Sequence, residues 1–168
     1  MVPILVLGIY SYQQSKENTE RQIRSTMESN LTRLTSELDT RFQREGSTVR
    51  FLAYNLTFRN ALENSGHSAS TMAQAMNTSV EPTFWYFIAG DAYIKGMEVY
   101  STKVRDKIGN FLLPVDNTVS QQAWYQQALD SYATHWTYDG TEICANRAIL
   151  DTNSSSEVIA VLRMFCYP

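Results

Sequence analysis

The chain has 168 residues and a net charge of −3, with 43% hydrophobic and 12% aromatic residues. That length suits one domain of ordinary size plus an accessory helix, with enough apolar residues for a packed core. Lys and Arg are scattered with no basic run, which argues against a nucleic-acid-binding protein.

Residues 1–12, Met1-Val-Pro-Ile-Leu-Val-Leu-Gly-Ile-Tyr-Ser-Tyr12, are uncharged and mostly apolar. A spanning helix needs about 20 apolar residues, so this stub is too short to cross a bilayer alone. No Lys or Arg precedes Lys16 and no small-residue cleavage site follows, so it does not read as a secretory signal. The reading is the outer end of a transmembrane helix, against the alternative of an ordinary buried N-terminal segment. Ile23, Met27, Leu31, Leu34, Leu38 and Phe42 then recur at spacings of 4, 4, 3, 4 and 4, one stripe of an α-helix. Val49, Leu52, Ala53 and Leu56 continue the pattern toward Leu62, with Gly46 as the expected bend. A helix over residues 13–62 would be about 75 Å long. Its excess length needs a partner, either a second copy of the chain or another part of the same chain.

Residues 64–70 read as a loop. A second helix is predicted over 71–89, kinked or broken at Pro82. After Asp91 the pattern turns to β. Strands are predicted at 96–101, 110–114, 135–138, 143–150 and 158–165, with a short helix at 120–130 capped by Ser120. Asp139-Gly140 is a turn signal. The fold class is therefore α+β, with two helices on a five-stranded antiparallel sheet spanning about 96–166.

Cys144 and Cys166 fall on the last two predicted strands. A hairpin turning near Ser155 would set them opposite each other, ready for a disulfide, but would also oppose Arg147 and Arg163. A tighter turn would make the cysteines diagonal neighbours. No C-x-x-C or Cys/His cluster suggests zinc, and no nucleophile elbow, phosphate loop or dinucleotide fingerprint suggests an enzyme. No cofactor is expected.

Several segments occur in a recognisable order. Ile9-Tyr-Ser-Tyr12 leads into the long polar helix. Then come Glu81-Pro-Thr-Phe-Trp-Tyr86, Ile94-Lys-Gly-Met-Glu-Val-Tyr100, Trp124-Tyr125, Trp136, Asn146-Arg-Ala-Ile-Leu-Asp151 and Val158-Ile-Ala-Val-Leu-Arg163. This order resembles the extracytoplasmic sensor region of bacterial two-component histidine kinases of the YesM type, which have a single Cache fold, a relative of PAS. The resemblance covers nearly the whole chain, through the order and spacing of motifs that are individually weak. It implies a stub of membrane helix (1–12), a stalk helix (13–62) and a sensor domain (63–168) outside the cytoplasm. It also implies a small-molecule pocket on one sheet face, a homodimeric full-length kinase and no chemistry in this segment. Some Cache domains of this kind hold an amino acid through Tyr, Arg, Trp and Asp side chains. The matching residue types here are Tyr125, Trp136, Tyr138, Asp139 and Arg147; Tyr100, at the end of the first strand, and Trp124, on the short helix, are further candidates to line a pocket. For each, core packing, turn formation or ion pairing is the competing reading. A solute-binding protein docking on the domain is the alternative partner, and a chemoreceptor sensor the alternative context.

Overall fold

The computed structural model describes residues 2–63, 69–154 and 157–168. The predicted loop at 64–70 and the predicted turn at Ser155 lie largely outside them. Helix α1 runs from Val2 to Tyr54 and α2 from Leu56 to Glu63. Helix α3 covers Ala69–Ala75, a π-helical turn covers Met76–Val80, and α4 covers Glu81–Gly90. The strands are β1 (Ile94–Ser101), β2 (Leu112–Pro114), β3 (His135–Tyr138), β4 (Ile143–Leu150) and β5 (Val158–Cys166). Short helices α5 (Asn117–Ser120) and α6 (Ala123–Asp130) lie between β2 and β3 in sequence. Two compact units result, divided between Gln43 and Arg44, within α1. No described helix is long and apolar enough to cross a membrane.

Helix α1 includes residues of the apolar stub and runs on into the predicted stalk segment. Pro3 lies in its first turn, where a missing N–H is harmless. The helix continues through Gly46 without a break. The break comes at Asn55, whose side chain accepts from Phe58 N (3.0 Å) and starts α2 as an N-cap does. The predicted second helix is also divided differently. The chain widens into the π turn before the proline, and Pro82 then occupies the first turn of α4. Ser120 is not a cap. Asp116 takes that role for α5, its side chain accepting from Val119 N at 2.7 Å, and α6 starts after Gln122 with no side-chain cap.

The sheet order is β2-β1-β5-β4-β3. It is mixed where a purely antiparallel sheet was expected, because β1 and β2 pair in parallel. The remaining pairs are antiparallel. One face carries Met97, Val99, Ile149, Leu162 and Met164 against Val49 and Leu52 of α1, Phe58 and Leu62 of α2, Met76, and Phe84 of α4. The opposite face carries Val161 against Tyr125 and Ala128 of α6. Arg59 fastens α2 to the end of β4, donating from Nε to Leu150 O at 2.7 Å and from Nη2 to Asp151 O at 2.5 Å.

The β4–β5 register corrects the expected cysteine pairing. Cys144 lies opposite Phe165 and Cys166 opposite Ile143, with a register irregularity between Ile149 and Leu150. A shift of one residue moves a side chain to the other face of a sheet. The two cysteines therefore point to opposite faces, and both are buried thiols outside any disulfide. The shift also sets Arg147 opposite Leu162 and removes the expected Arg147–Arg163 clash. Burial raises the Cys144 thiol pKa, offset in part by the Arg163 guanidinium. Reduction is expected to leave the mass of the purified chain unchanged. A thiol reagent is expected to label neither cysteine in the folded protein and both in denaturant. A mass gain of two hydrogens on reduction would contradict this register.

Candidate functional site

Beneath the edge of α6 the sheet face carries a polar row that cuts across four strands. His135 of β3 pairs with Asn146 of β4, Asn146 with Arg163 of β5, and Arg163 with Glu98 of β1. Cross-strand partners share a face, so these side chains stand side by side. Rows of Thr137, Cys144 and Phe165 on one side, and Ala148, Val161 and Tyr100 on the other, flank them.

Asn146 is fully buried. Its amide nitrogen donates to Thr137 Oγ1 at 2.9 Å and to His135 O at 3.3 Å, which turns its Oδ1 away from both. Three buried atoms of the row have no hydrogen-bond partner among the described residues: Asn146 Oδ1, Arg163 Nε and His135 Nε2. Buried polar atoms are nearly always paired, so three orphans in one row mark a place set to meet something else.

Arg163 is the centre of the row. Its guanidinium carbon lies 4.4 Å from the centroid of the Trp124 ring and 5.0 Å from that of Phe165. Its Nη2 donates to Cys144 Sγ at 3.3 Å and lies 3.9 Å from Asp139 Oδ2. Stacking on aromatic faces suits a planar cation and fixes its plane. Tyr100 donates its hydroxyl to Glu98 and packs its ring on Trp124 at 5.2 Å. Burial, with the hydrogen bond to Glu98, pushes the Tyr100 pKa far up, so it stays a neutral donor. A hollow of about 310 Å³ opens beside the row, lined by Gly96, Glu98, Phe165, Lys95, Met97 and Glu142.

The seven residues singled out by sequence divide between the two faces. Tyr100 and Trp124 meet at the row. Tyr125 lies beside them on α6 but is buried in the small core under that helix. Trp136 and Tyr138 do share a face, as strand alternation requires, but it is the opposite one. Trp136 packs against the main core, its ring 3.7 Å from the position a side chain at Gly46 would take. Tyr138 is exposed and donates its hydroxyl to Gly140 O at 2.8 Å. Arg147 also faces the main core. It donates to Thr134 Oγ1 at 3.1 Å and to Tyr54 Oη at 3.3 Å, and its guanidinium carbon lies 5.3 Å from the Tyr54 ring centroid. Asp139 is foremost a turn residue. Its Oδ1 accepts from Thr141 N, Thr141 Oγ1 and Glu142 N, and these bonds depress its pKa to about 2.

Glu98, His135, Asn146 and Arg163 are the row residues that the pattern of residue types did not single out as a set. The available signal was a polar side chain interrupting an apolar strand, at Asn146 and at Arg163. Only the register aligns them. Asp139, Glu142 and Cys144 bring ligand atoms within 4.8 Å of one another, an arrangement that a metal ion sometimes uses. Glu142 is paired with Lys95, and Cys144 accepts from Arg163. Two cations already serve this cluster, so its donors do not fit a metal ion.

The arrangement offers an acceptor at Asn146, a cationic donor at Arg163, and aromatic walls. It suits binding of a small polar molecule that carries both an acceptor and a donor. No protein-family model matches the chain, and no curated protein matches it in sequence.

Proposed function

We propose that this chain is the extracytoplasmic signal-input domain of a membrane-bound sensor histidine kinase, and that it binds a small molecule at the polar row beneath α6. The observation that carries the binding is the set of three buried, unpartnered atoms on Asn146, Arg163 and His135. The order of elements, a long helix followed by helices and then a five-stranded sheet with an inserted short helix, supports the sensor reading. In this reading α1 leads from the membrane, and ligand contact at the row biases two states of the domain by binding them unequally. The segment itself performs no chemistry.

A partner-protein reading is favoured by a different observation. Trp85, Tyr86 and Phe51 are at least half exposed, and large aromatics are typical anchors of protein interfaces. In that case a solute-binding protein would be read by this surface, and the row would be a sealed remnant.

Thermal unfolding of the purified chain against a panel of small carboxylates, amino acids and sugars separates the two. A ligand at 100 times its Kd adds about 2.7 kcal/mol, a rise of several degrees for a chain of this size. A reproducible rise that Asn146→Leu removes supports the row as the site. No rise across the panel, or a rise that Asn146→Leu leaves intact, overturns it.

A further inference from the structure

The three orphan atoms of the row differ in the bonds they can make. Arg163 Nε carries a hydrogen and only donates, and Nη2 of the same guanidinium is already engaged with Cys144 and Asp139. Asn146 Oδ1 only accepts. The orientation of that amide is fixed by its nitrogen, which meets His135 O, Thr137 Oγ1 and Cys144 O at 2.9–3.4 Å. Reversed, the amide oxygen would face two carbonyl oxygens. His135 Nε2 carries a hydrogen in one of the two imidazole tautomers and then donates. The residues stand in order on three adjacent strands, His135 on β3, Asn146 on β4 and Arg163 on β5, each directly opposite the next. Across the row the open positions therefore read donor, acceptor, donor.

We infer that the row takes an imide: a small flat ring in which an N–H lies between two carbonyl groups, as in uracil or succinimide. Its edge reads acceptor, donor, acceptor, the complement of the row. The two carbonyls would accept from His135 Nε2 and Arg163 Nε, and the N–H would donate to Asn146 Oδ1. Imide oxygens spread outward on either side of the N–H, and hydrogen bonds of about 2.9 Å extend that reach to strands about 4.8 Å apart. Charge favours an uncharged ligand. Arg163 stands opposite Glu98 and 3.9 Å from Asp139, so a free carboxylate would add a third negative group beside one cation. Size and shape agree. Trp124 and Phe165 fix the guanidinium plane, in which Nε–H donates. The hollow of about 310 Å³ beside the row lies at the small end of ligand pockets, about 300–1,000 Å³. The three atoms are buried, so entry from this hollow requires the Trp124 ring to lift from Arg163. The assignment rests on the row being the ligand site, as proposed above, and narrows the ligand to one class.

In the test, uracil and succinimide join the thermal panel, and calorimetric titration of the native chain compares uracil with two close analogues. Cytosine has the same ring with an acceptor, acceptor, donor edge. Uracil methylated at the imide nitrogen has lost the central donor. Uracil is expected to raise the melting temperature, and both analogues to bind about a hundredfold more weakly, because each leaves buried polar atoms unpaired. His135→Phe keeps a ring and removes the donor, so it should weaken uracil binding about tenfold. Asn146→Leu should abolish it. Cytosine binding as tightly as uracil overturns the imide assignment, on the native chain and without any variant. So does a carboxylate, amino acid or sugar that stabilises the chain through Asn146 while uracil and succinimide do not, which leaves the row as the ligand site. Silence from every compound, or uracil binding that Asn146→Leu leaves intact, overturns both.

Discussion

Replacing Phe84 with alanine is expected to cost about 3–5 kcal/mol, the largest single loss in the domain. Phe84 is 0% exposed. Its ring meets Phe58 of α2 at 5.2 Å and Phe111 at 5.0 Å, both edge-on. These contacts join α4, α2 and the segment entering β2 into one cluster, so the cavity would open where three elements converge. Edge-on aromatic pairs add about 0.5–1.5 kcal/mol beyond buried area. A domain of this kind holds about 5–15 kcal/mol in total, so the variant would sit near its unfolding limit. Urea unfolding followed by circular dichroism measures the loss. A loss below about 1 kcal/mol would show that the helix layer does not pack on the sheet in this way. Phe58→Ala in the same background should cost less than it does alone, because the neighbouring contact is already gone.

Replacing Arg163 should separate binding from stability. The residue is a largely buried cation with one unpartnered nitrogen and an imperfect ion pair at 3.9 Å. Arg163→Leu removes that desolvated charge and keeps a side chain against Trp124 and Phe165. Stability is therefore expected to change by less than about 1.5 kcal/mol in either direction, since apolar replacement of a poorly paired buried charge is often neutral. Any ligand-induced rise in melting temperature should be lost entirely. Arg163→Lys keeps the charge but not the planar fork that stacks between two rings, so it should bind far more weakly than the native chain. Calorimetric titration with whichever compound raises the melting temperature is the check. If Arg163→Leu binds normally, the row is not the site.

The row also explains how far the sequence carries. The positions of the long stripe, the alternation at His135–Tyr138 and the final pair of strands are all legible, because period 3.6 and period 2 are written directly into the apolar residues. Fold class and element order follow from those periods alone. The direction of β2 does not, since a three-residue strand has no pattern that distinguishes a parallel from an antiparallel neighbour. Helix ends were misplaced for a related reason. Asn55 and Asp116 act through side-chain bonds to particular backbone groups, and the π turn before Pro82 is a local change of backbone hydrogen bonding; periodicity registers none of them.

The sequence by itself determined that this is an α+β chain with an amphipathic N-terminal helix and two cysteines on neighbouring strands. Tertiary structure alone decided which residues meet. The irregularity between Ile149 and Leu150 offsets the β4–β5 pairing from the symmetric hairpin by one residue. Because side chains alternate between faces, that single step separates Cys144 from Cys166, turns Arg147 into the helix layer, and sets Asn146 beside Arg163. Register is fixed by the summed packing of both faces, and no local stretch of sequence contains that sum.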